Sequence, residues 1–225
     1  MVIVVVGSGK LAQELMVFFL SQPGCQALTW QTLGGRALAD AVVVHAGSGR
    51  ELDEVVAYCS RTHTTLVELS TGSAVEGRAL NFPVVLCANT NILMLKVMAM
   101  LAGHGHLFQG YERRLTESHQ AGKTSTPGTA VELAESIGLH ERDIVSVRDP
   151  AVQQDDMKIP AEHLGRHAFH RIVIEDGLSG VTLETRVLGP APYAQGVAQI
   201  VAAIQAHPLE DRLYKVTELV DKGWL

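Results

Sequence analysis

The sequence predicts an α/β protein: a parallel sheet wrapped by helices, with a smaller α+β mixed-sheet domain inserted into it. Three observations carry this. Over the first roughly ninety residues, β-branched runs alternate with helical periodicities, the pattern of successive strand–helix units. A Gly-Ser-Gly-Lys-Leu-Ala turn joins the first run to the first helix. After about residue 103 the pattern changes to longer strands separated by turn signals. The expected division is residues 1–94 plus 192–225 for the first domain and 95–191 for the second.

The elements follow in order. Val2 to Val6 is a continuous β-branched run, suited to a strand covered on both faces. Leu11, Leu15, Phe18 and Phe19 recur at helical spacing, and Pro23-Gly24 ends that helix. A second strand is expected over Cys25 to Trp30 and a stronger third over Ala41 to Ala46. Leu52, Val55, Val56 and Cys59 share a helical face, followed by strands at Thr65 to Ser70 and Val84 to Cys87. A helix carrying Met94, Val97, Met98 and Leu101 comes after Asn91. Beyond it, residues 107–117 read as a strand, 118–128 as a loop, and Val131, Leu133, Ala134 and Ile137 as a helix capped by Gly138. Residues 144–148, 167–175 and 181–188 read as strands, the last two joined by the hairpin loop Asp176-Gly177-Leu178-Ser179-Gly180. Tyr193, Val197, Ile200, Val201 and Ile204 form a final amphipathic helix, ended by His207-Pro208, before a mixed tail with Leu213, Val216 and Leu219.

Composition narrows the function. The 225 residues are 47% hydrophobic and 19% charged, as in folded soluble proteins. The formal charge of −6 and the scattered Lys and Arg argue against nucleic acid, which needs clustered cations. No apolar stretch approaches the roughly 20 residues of a membrane span. The opening apolar run is too short and lacks the basic lead of a secretory signal, so a cytoplasmic protein is expected. Cys25, Cys59 and Cys87 are few and far apart, as expected of reduced thiols.

Gly7-Ser8-Gly9-Lys10-Leu11-Ala12 fits the G-x-G-x-x-G/A dinucleotide fingerprint, in the strand–turn–helix setting that the motif requires. The first glycine allows the tight turn, the second lets backbone approach a pyrophosphate, and the small Ala12 lets helix and strand pack closely. The helix N-terminus adds free N–H groups and a positive dipole end. This predicts a Rossmann-like domain holding a nicotinamide cofactor over Gly7, Ser8, Gly9, Lys10 and Leu11. The acidic residue expected about 20 positions further on is missing. Arg36 lies in that region and can meet a 2′-phosphate, which leans the choice between NADPH and NADH toward NADPH. The alternative for the glycines is a plain turn, and for Arg36 an exposed side chain without a ligand.

The segment Glu117-Ser118-His119-Gln120-Ala121-Gly122-Lys123-Thr124-Ser125-Thr126-Pro127-Gly128-Thr129-Ala130 carries the chemistry. Thr129 and Glu132 have the spacing of a capping box. A carboxylate can bind the N–H groups of Gly128 and Thr129 with Lys123 as counter-charge, and His119 can shuttle a proton near neutral pH. On residue types alone, a surface loop with a helix cap explains the segment equally well.

The segment is similar to the signature loop of the dihydrodipicolinate (4-hydroxy-tetrahydrodipicolinate) reductases, Glu-x-His-His-x-x-Lys-x-Asp-x-Pro-Ser-Gly-Thr-Ala. Glu117, His119, Lys123, Pro127, Gly128, Thr129 and Ala130 match it in order. Leu69-Ser70-Thr71-Gly72 stands where that family has Gly-Thr-Thr-Gly, and Ala88-Asn89-Thr90-Asn91 where it has Ala-Asn-Phe-Ser. Gly165-Arg166-His167 resembles its Gly-Glu-His, and Tyr193-Ala194-Gln195-Gly196 its Phe-Ala-Asn-Gly. The resemblance implies hydride transfer from NAD(P)H to a cyclic unsaturated imine dicarboxylate in lysine and diaminopimelate biosynthesis. It places Ser70, Thr71, Gly72, Ala88, Asn89 and Asn91 at the nicotinamide. It assigns Gln120, Lys123, Gly128 and Thr129 to the substrate, and His119 or Lys123 to proton donation. It also implies a homo-oligomer, typically a tetramer formed through the substrate domain.

Several positions depart from the family pattern. The second signature His is Gln120, the loop Asp is Ser125, and one residue is missing between Pro127 and Gly128. The family's later His and Arg fall at Thr185 and Pro190, and Leu69 replaces the glycine opening the nicotinamide loop. Losing cations weakens recognition of a dianion. The resemblance therefore speaks for an altered pocket, and a monoanionic substrate or a nucleotide-binding protein with lost chemistry are the alternatives. Neither His163, His167 and His170 nor His104 and His106 make a convincing metal set, and none is expected. Met94, Met98 and Met100 read as core filling, Cys87 as an inert buried thiol, and Glu68 as a structural acid rather than an active-site group.

Overall fold

The computed structural model describes residues 1–47, 49–189 and 191–225, so Pro190, aligned above with the family's arginine, lies outside the described residues. The chain forms two compact units. One is Met1–Ile92 with Tyr193–Leu225, the other Leu93–Pro192.

In the first unit, β1 (Val2–Val6), α1 (Lys10–Leu20), β2 (Gln26–Thr29), α2 (Trp30–Leu33), β3 (Ala41–His45), α3 (Leu52–Thr62), β4 (Thr65–Glu68) and β5 (Val84–Leu86) follow one another. The six-stranded sheet has the order β10-β5-β4-β3-β1-β2, completed by β10 (Leu213–Lys215) from the C-terminal segment. Every pair is parallel. A parallel sheet sandwiched by helices needs apolar strands on both faces, and Val4, Val6, Val43, Leu66 and Val84 are fully buried in one cluster with Val55 and Cys59 of α3. Strand order reverses between β1 and β3, so the carboxyl ends of these strands flank the crevice where open α/β sheets bind ligands.

The second unit contains most of α4 (Ile92–His104), then β6 (Glu112–His119), α5 (Gly128–Ser136), β7 (Ile144–Val147), α6 (Pro150–Asp155), β8 (His167–Glu175) and β9 (Gly180–Leu188). Its sheet has the order β7-β6-β8-β9 and is mixed: β7 runs parallel to β6, and the β6–β8 and β8–β9 pairs are antiparallel. Helix α7 (Ala194–Ala206) and α8 (Val216–Asp221) return to the first unit. No helix among the described residues is long and apolar enough to cross a membrane.

Four local expectations are corrected. Trp30 starts a helix rather than ending a strand, because the Thr29 hydroxyl accepts from the Thr32 N–H and caps α2. Residues 105–108 form a 3₁₀ turn, so the strand expected over 107–117 begins at Glu112 and continues to His119 through pairing with β8. His119 therefore ends a strand instead of lying in a loop. Helix α5 begins at Gly128 with Pro127 in the capping position, which puts Thr129 inside the first turn and not at the cap. The tail, with no strand expected, supplies β10, whose apolar Tyr214 is buried beside β5.

Candidate functional site

The glycine turn after β1 is tight and packs closely at Gly7. Gly7 has φ of 116°, open to glycine at little cost, and a Cβ there would lie 2.7 Å from the Ala46 carbonyl oxygen. The β1 and β3 loops thus meet at the sheet's reversal point. Gly9 is the extended N-cap of α1, makes no side-chain cap, and would have open space around a Cβ. No acidic residue occupies the first turn of α1, and Lys10 there is exposed. Uncapped N–H groups, a nearby cation and room for an incoming group fit a pyrophosphate.

Beyond β3 and β4 the loops are set from below by a buried pair. His45 Nδ1 lies 2.6 Å from Glu68 Oε2, both side chains wholly enclosed, and Glu68 Oε1 accepts from the Ser70 N–H at 2.9 Å. Glu68 is thus a structural acid that fixes the start of the 69–72 loop. Leu69 is buried, with only 8% of its surface exposed. Gly47 is compelled by His45, whose Nε2 would lie 2.7 Å from a Cβ at that position. A cavity of about 460 Å³ opens here, lined by Gly47, Gly49, Ser70, Thr71, Gly72 and Arg78.

After β5, Asn89 Oδ1 accepts from the Asn91 N–H at 2.9 Å and shapes the 88–91 turn. Helix α7 comes so close that a Cβ on Gly196 would overlap the Thr90 carbonyl oxygen and lie 2.8 Å from its carbon. Glu14 of α1 accepts from the Tyr193 and Ala194 N–H groups at 2.9 and 3.0 Å, capping α7. Arg36 is exposed, with Nε and Nη2 donating to the Leu33 and Thr32 carbonyls at 3.1 Å each. It closes the C-terminus of α2.

In the second unit the chemistry gathers at the end of β6. Glu117 and His119 project from one face of the strand, as residues two apart do. Glu117 is fully buried, its Oε2 is 2.8 Å from His119 Nδ1, and its Oε1 accepts from Arg148 Nη2 at 2.6 Å. Burial alone would raise the Glu117 carboxyl, but hydrogen bonds from His119, Arg148 and Ser146 outweigh it and bring its pKa down to about 2. An ionised carboxylate only accepts, so His119 carries a proton on Nδ1 and offers Nε2 on the far side of its ring. The His119 side chain is 15% exposed.

Arg148 also donates from Nε to the Lys123 carbonyl at 3.0 Å and from Nη1 to the Val147 carbonyl at 3.0 Å. Gln153, buried on α6, donates to the His119 carbonyl at 2.8 Å and to Ser118 Oγ at 3.0 Å. Ser118 Oγ is 3.0 Å from His167 Nε2, whose other ring nitrogen meets the His163 carbonyl at 3.1 Å. Burial lowers the pKa of His167, and that of His170 to about 4. His170 Nδ1 meets Thr185 Oγ1 at 3.0 Å, and its ring stands edge-on to His119 with centroids 6.0 Å apart. Among the described residues, no group of three or more metal-capable side chains converges. Cys87 is fully buried, with its thiol pKa pushed up by that burial and by Glu68. Of the methionines, Met94 and Met98 are buried and Met100 is exposed.

Lys123 is half-buried, and among the described residues no partner engages its ammonium. Gln120 and Gly128 are exposed, and Thr129 is half-buried. His119, Lys123 and the start of α5 thus occur along one stretch of this unit. Arg148 and Gln153 were not singled out from sequence. An Arg directly before the Asp149-Pro150 helix start is the one local signal that marks the first.

No protein-family profile matches the sequence. A probable 4-hydroxy-tetrahydrodipicolinate reductase 2 of Oryza sativa subsp. japonica, designated chloroplastic, is 31% identical over 128 residues, 52% of this chain and 39% of that protein. The 4-hydroxy-tetrahydrodipicolinate reductase 2 of Arabidopsis thaliana, also designated chloroplastic, is 29% identical over 126 residues, 52% of this chain and 36% of that protein. The matched stretch thus spans under two-fifths of these relatives. Among solved structures, the dipicolinate-bound dihydrodipicolinate reductase of Paenisporosarcina sp. TG-14 superposes with a TM-score of 0.65 at 15% identity, covering 97% of this chain and 98% of that one. A C. glutamicum DAP dehydrogenase in complex with DAP gives 0.54 at 10% identity, covering 97% and 93%. These two share the fold. Over about half of its length the sequence is thus similar to 4-hydroxy-tetrahydrodipicolinate reductases, and its fold is shared with a dihydrodipicolinate reductase.

Proposed function

We propose that this protein is an NAD(P)H-dependent reductase of a cyclic unsaturated imine carboxylate, of the 4-hydroxy-tetrahydrodipicolinate type and placed in lysine and diaminopimelate biosynthesis. The observation that carries the reading is His119, held through Nδ1 by the buried, ionised Glu117 on the stretch that leads through Lys123 to the α5 N-terminus. The cofactor, when bound, supplies the hydride. Gly7, Ser8, Gly9, Lys10 and Leu11 would hold its pyrophosphate through uncapped N–H groups and the Lys10 charge. The 70–72 and 88–91 loops would border its nicotinamide, and Arg36, already fixed on two carbonyls, would face a ribose 2′-phosphate and favour NADPH.

Reduction of a C=N or conjugated C=C bond takes one hydride and one proton. His119 would deliver the proton from Nε2, while Glu117 holds the ring in position through Nδ1. Lys123 would neutralise a substrate carboxylate seated on the N–H groups of Gly128 and Thr129 at the α5 N-terminus, with Gln120 as a neutral hydrogen-bond partner. A neutral Gln120 where the family carries a second His favours a substrate less anionic than the family's. A homo-oligomer formed through residues 93–192 belongs to the same reading.

The test follows NADPH and NADH oxidation with enzymatically generated 4-hydroxy-tetrahydrodipicolinate. Substrate-dependent oxidation is expected, falling on the order of 10²-fold in kcat/KM in Lys123→Ala with an unchanged melting temperature. Wild-type kinetics in that variant would remove Lys123 from the site. NADPH binding without oxidation would favour the second reading, a nucleotide-binding protein of this fold with altered chemistry, which Gln120 and Ser125 support.

A further inference from the structure

We propose that Arg148 is a positioning residue that joins the two working groups of the site, orienting the His119 ring through Glu117 and the Lys123 segment through its carbonyl. The inference rests on the reading of His119 and Lys123 just given. All three guanidinium nitrogens are committed: Nη2 to Glu117 Oε1 at 2.6 Å, Nε to the Lys123 carbonyl at 3.0 Å, and Nη1 to the Val147 carbonyl at 3.0 Å. A planar, permanently charged fork holds these acceptors in one rigid geometry, which a lysine ammonium on a flexible stem does not. The side chain is 21% exposed, so the contacts are partly screened from water rather than lying on an open surface.

The two arms act on different parts of the site. Through Glu117, wholly buried, Arg148 supplies the positive charge that a buried carboxylate requires. That carboxylate fixes which ring nitrogen of His119 holds the proton at rest. Through the Lys123 carbonyl, Arg148 pins the backbone four residues along, in a stretch that otherwise makes a turn by the Lys123 N–H donating to the Gln120 carbonyl at 2.9 Å. Gln153 completes the brace by holding the His119 carbonyl at 2.8 Å. The groups facing His119 are Glu117 on its own strand and His167 and His170 on β8, both with lowered pKa values, so Arg148 with Glu117 is the charged couple that sets its environment.

The experiment compares the full-length protein with Arg148→Met, Arg148→Lys and Glu117→Gln by long-range ¹⁵N–¹H correlation of the imidazoles at about pH 8, where an ordinary histidine is neutral. In the wild type His119 is expected as the Nδ1–H tautomer, against the Nε2–H preference of a free imidazole. In Arg148→Met and Glu117→Gln the Nδ1–H share falls, and in Arg148→Lys it falls part of the way. In the reductase assay Arg148→Met lowers kcat on the order of 10²-fold and leaves KM for NADPH unchanged. Backbone amide spectra establish that each variant is folded, and if Arg148→Met is not, Arg148→Lys carries the test. His119 resonances that coincide with wild type in a folded Arg148 variant would overturn the proposal, whatever the activity. A wild type with the expected tautomer but no reductase activity would leave the brace standing and refute the reductase reading.

Discussion

Glu117 ties the protein's stability to acid in a way that can be measured. Its carboxyl is lowered from an ordinary 4.5 to about 2, and its side chain is wholly buried, so no solvent discount applies. At about 1.4 kcal/mol per tenfold change in proton affinity, this corresponds to about 3 kcal/mol of native-state preference for the carboxylate. A folded value below the unfolded one means the stabilisation is complete above about pH 5.5 and is lost as pH falls through 4.5 toward 2. By pH 3, about 2 of the about 3 kcal/mol should be gone. Glu117→Gln cannot ionise, so the wild-type advantage over this variant should shrink by that amount between pH 7 and pH 3. Urea unfolding should be followed at backbone amides of β6 and β8. Both tryptophans, Trp30 and Trp224, lie in the other unit and do not report on this sheet. A wild-type advantage that changes by less than about 0.5 kcal/mol over this range would refute the assignment of Glu117 as a carboxylate held ionised by His119 and Arg148.

Two further outcomes are expected. Gly196→Ala drives a methyl into the Thr90 carbonyl, a backbone group with no rotamer to yield. It should cost about 3 kcal/mol or more, read as a lowered midpoint by tryptophan fluorescence, and a loss under about 1 kcal/mol would show that α7 slides freely over the 88–91 turn. His170, whose pKa burial and then the His119 charge lower from 6.5 to about 4, refuses a proton that the unfolded chain accepts. The stability it confers is present above pH 6.5 and is lost as pH falls toward 4, about 3 kcal/mol in all. His170→Gln should remove that slope, and an unchanged pH dependence between 6.5 and 4 would show that His170 takes no part in it.

What was legible in the sequence was local. The β1 run, the Gly7 to Ala12 turn and the face of α1 are each declared within a few residues, because strand period, backbone freedom at glycine and helix period act over that range. The hairpin between β8 and β9 is legible for the same reason: Asp176 Oδ1 accepts from the Leu178 and Ser179 N–H groups three residues or fewer away. His119 and Lys123 stood out through the motif they share. Glu68 could be read as a structural acid, but not its partner His45, which lies 23 residues away in sequence.

The rest was decided by pairing at long range. Where β6 starts and stops follows from its register with β8, Glu112 opposite Glu175 and His119 opposite Ala168, and no window of sequence around residue 107 contains that information. Three residues become a strand at β10 only because β5 offers an unpaired edge, and their short apolar pattern alone does not distinguish strand from tail. The brace at the candidate site is the clearest case. Glu117, Arg148 and Gln153 come from β6, the end of β7 and α6, and their ionisation and orientation exist only where folding removes water and sets them 2.6 to 3.0 Å from their partners. Sequence determines which residues can carry charge and how the chain prefers to turn. Tertiary structure determines which charges are buried together, since the low dielectric that gives such a pair its strength is itself a product of the packed fold.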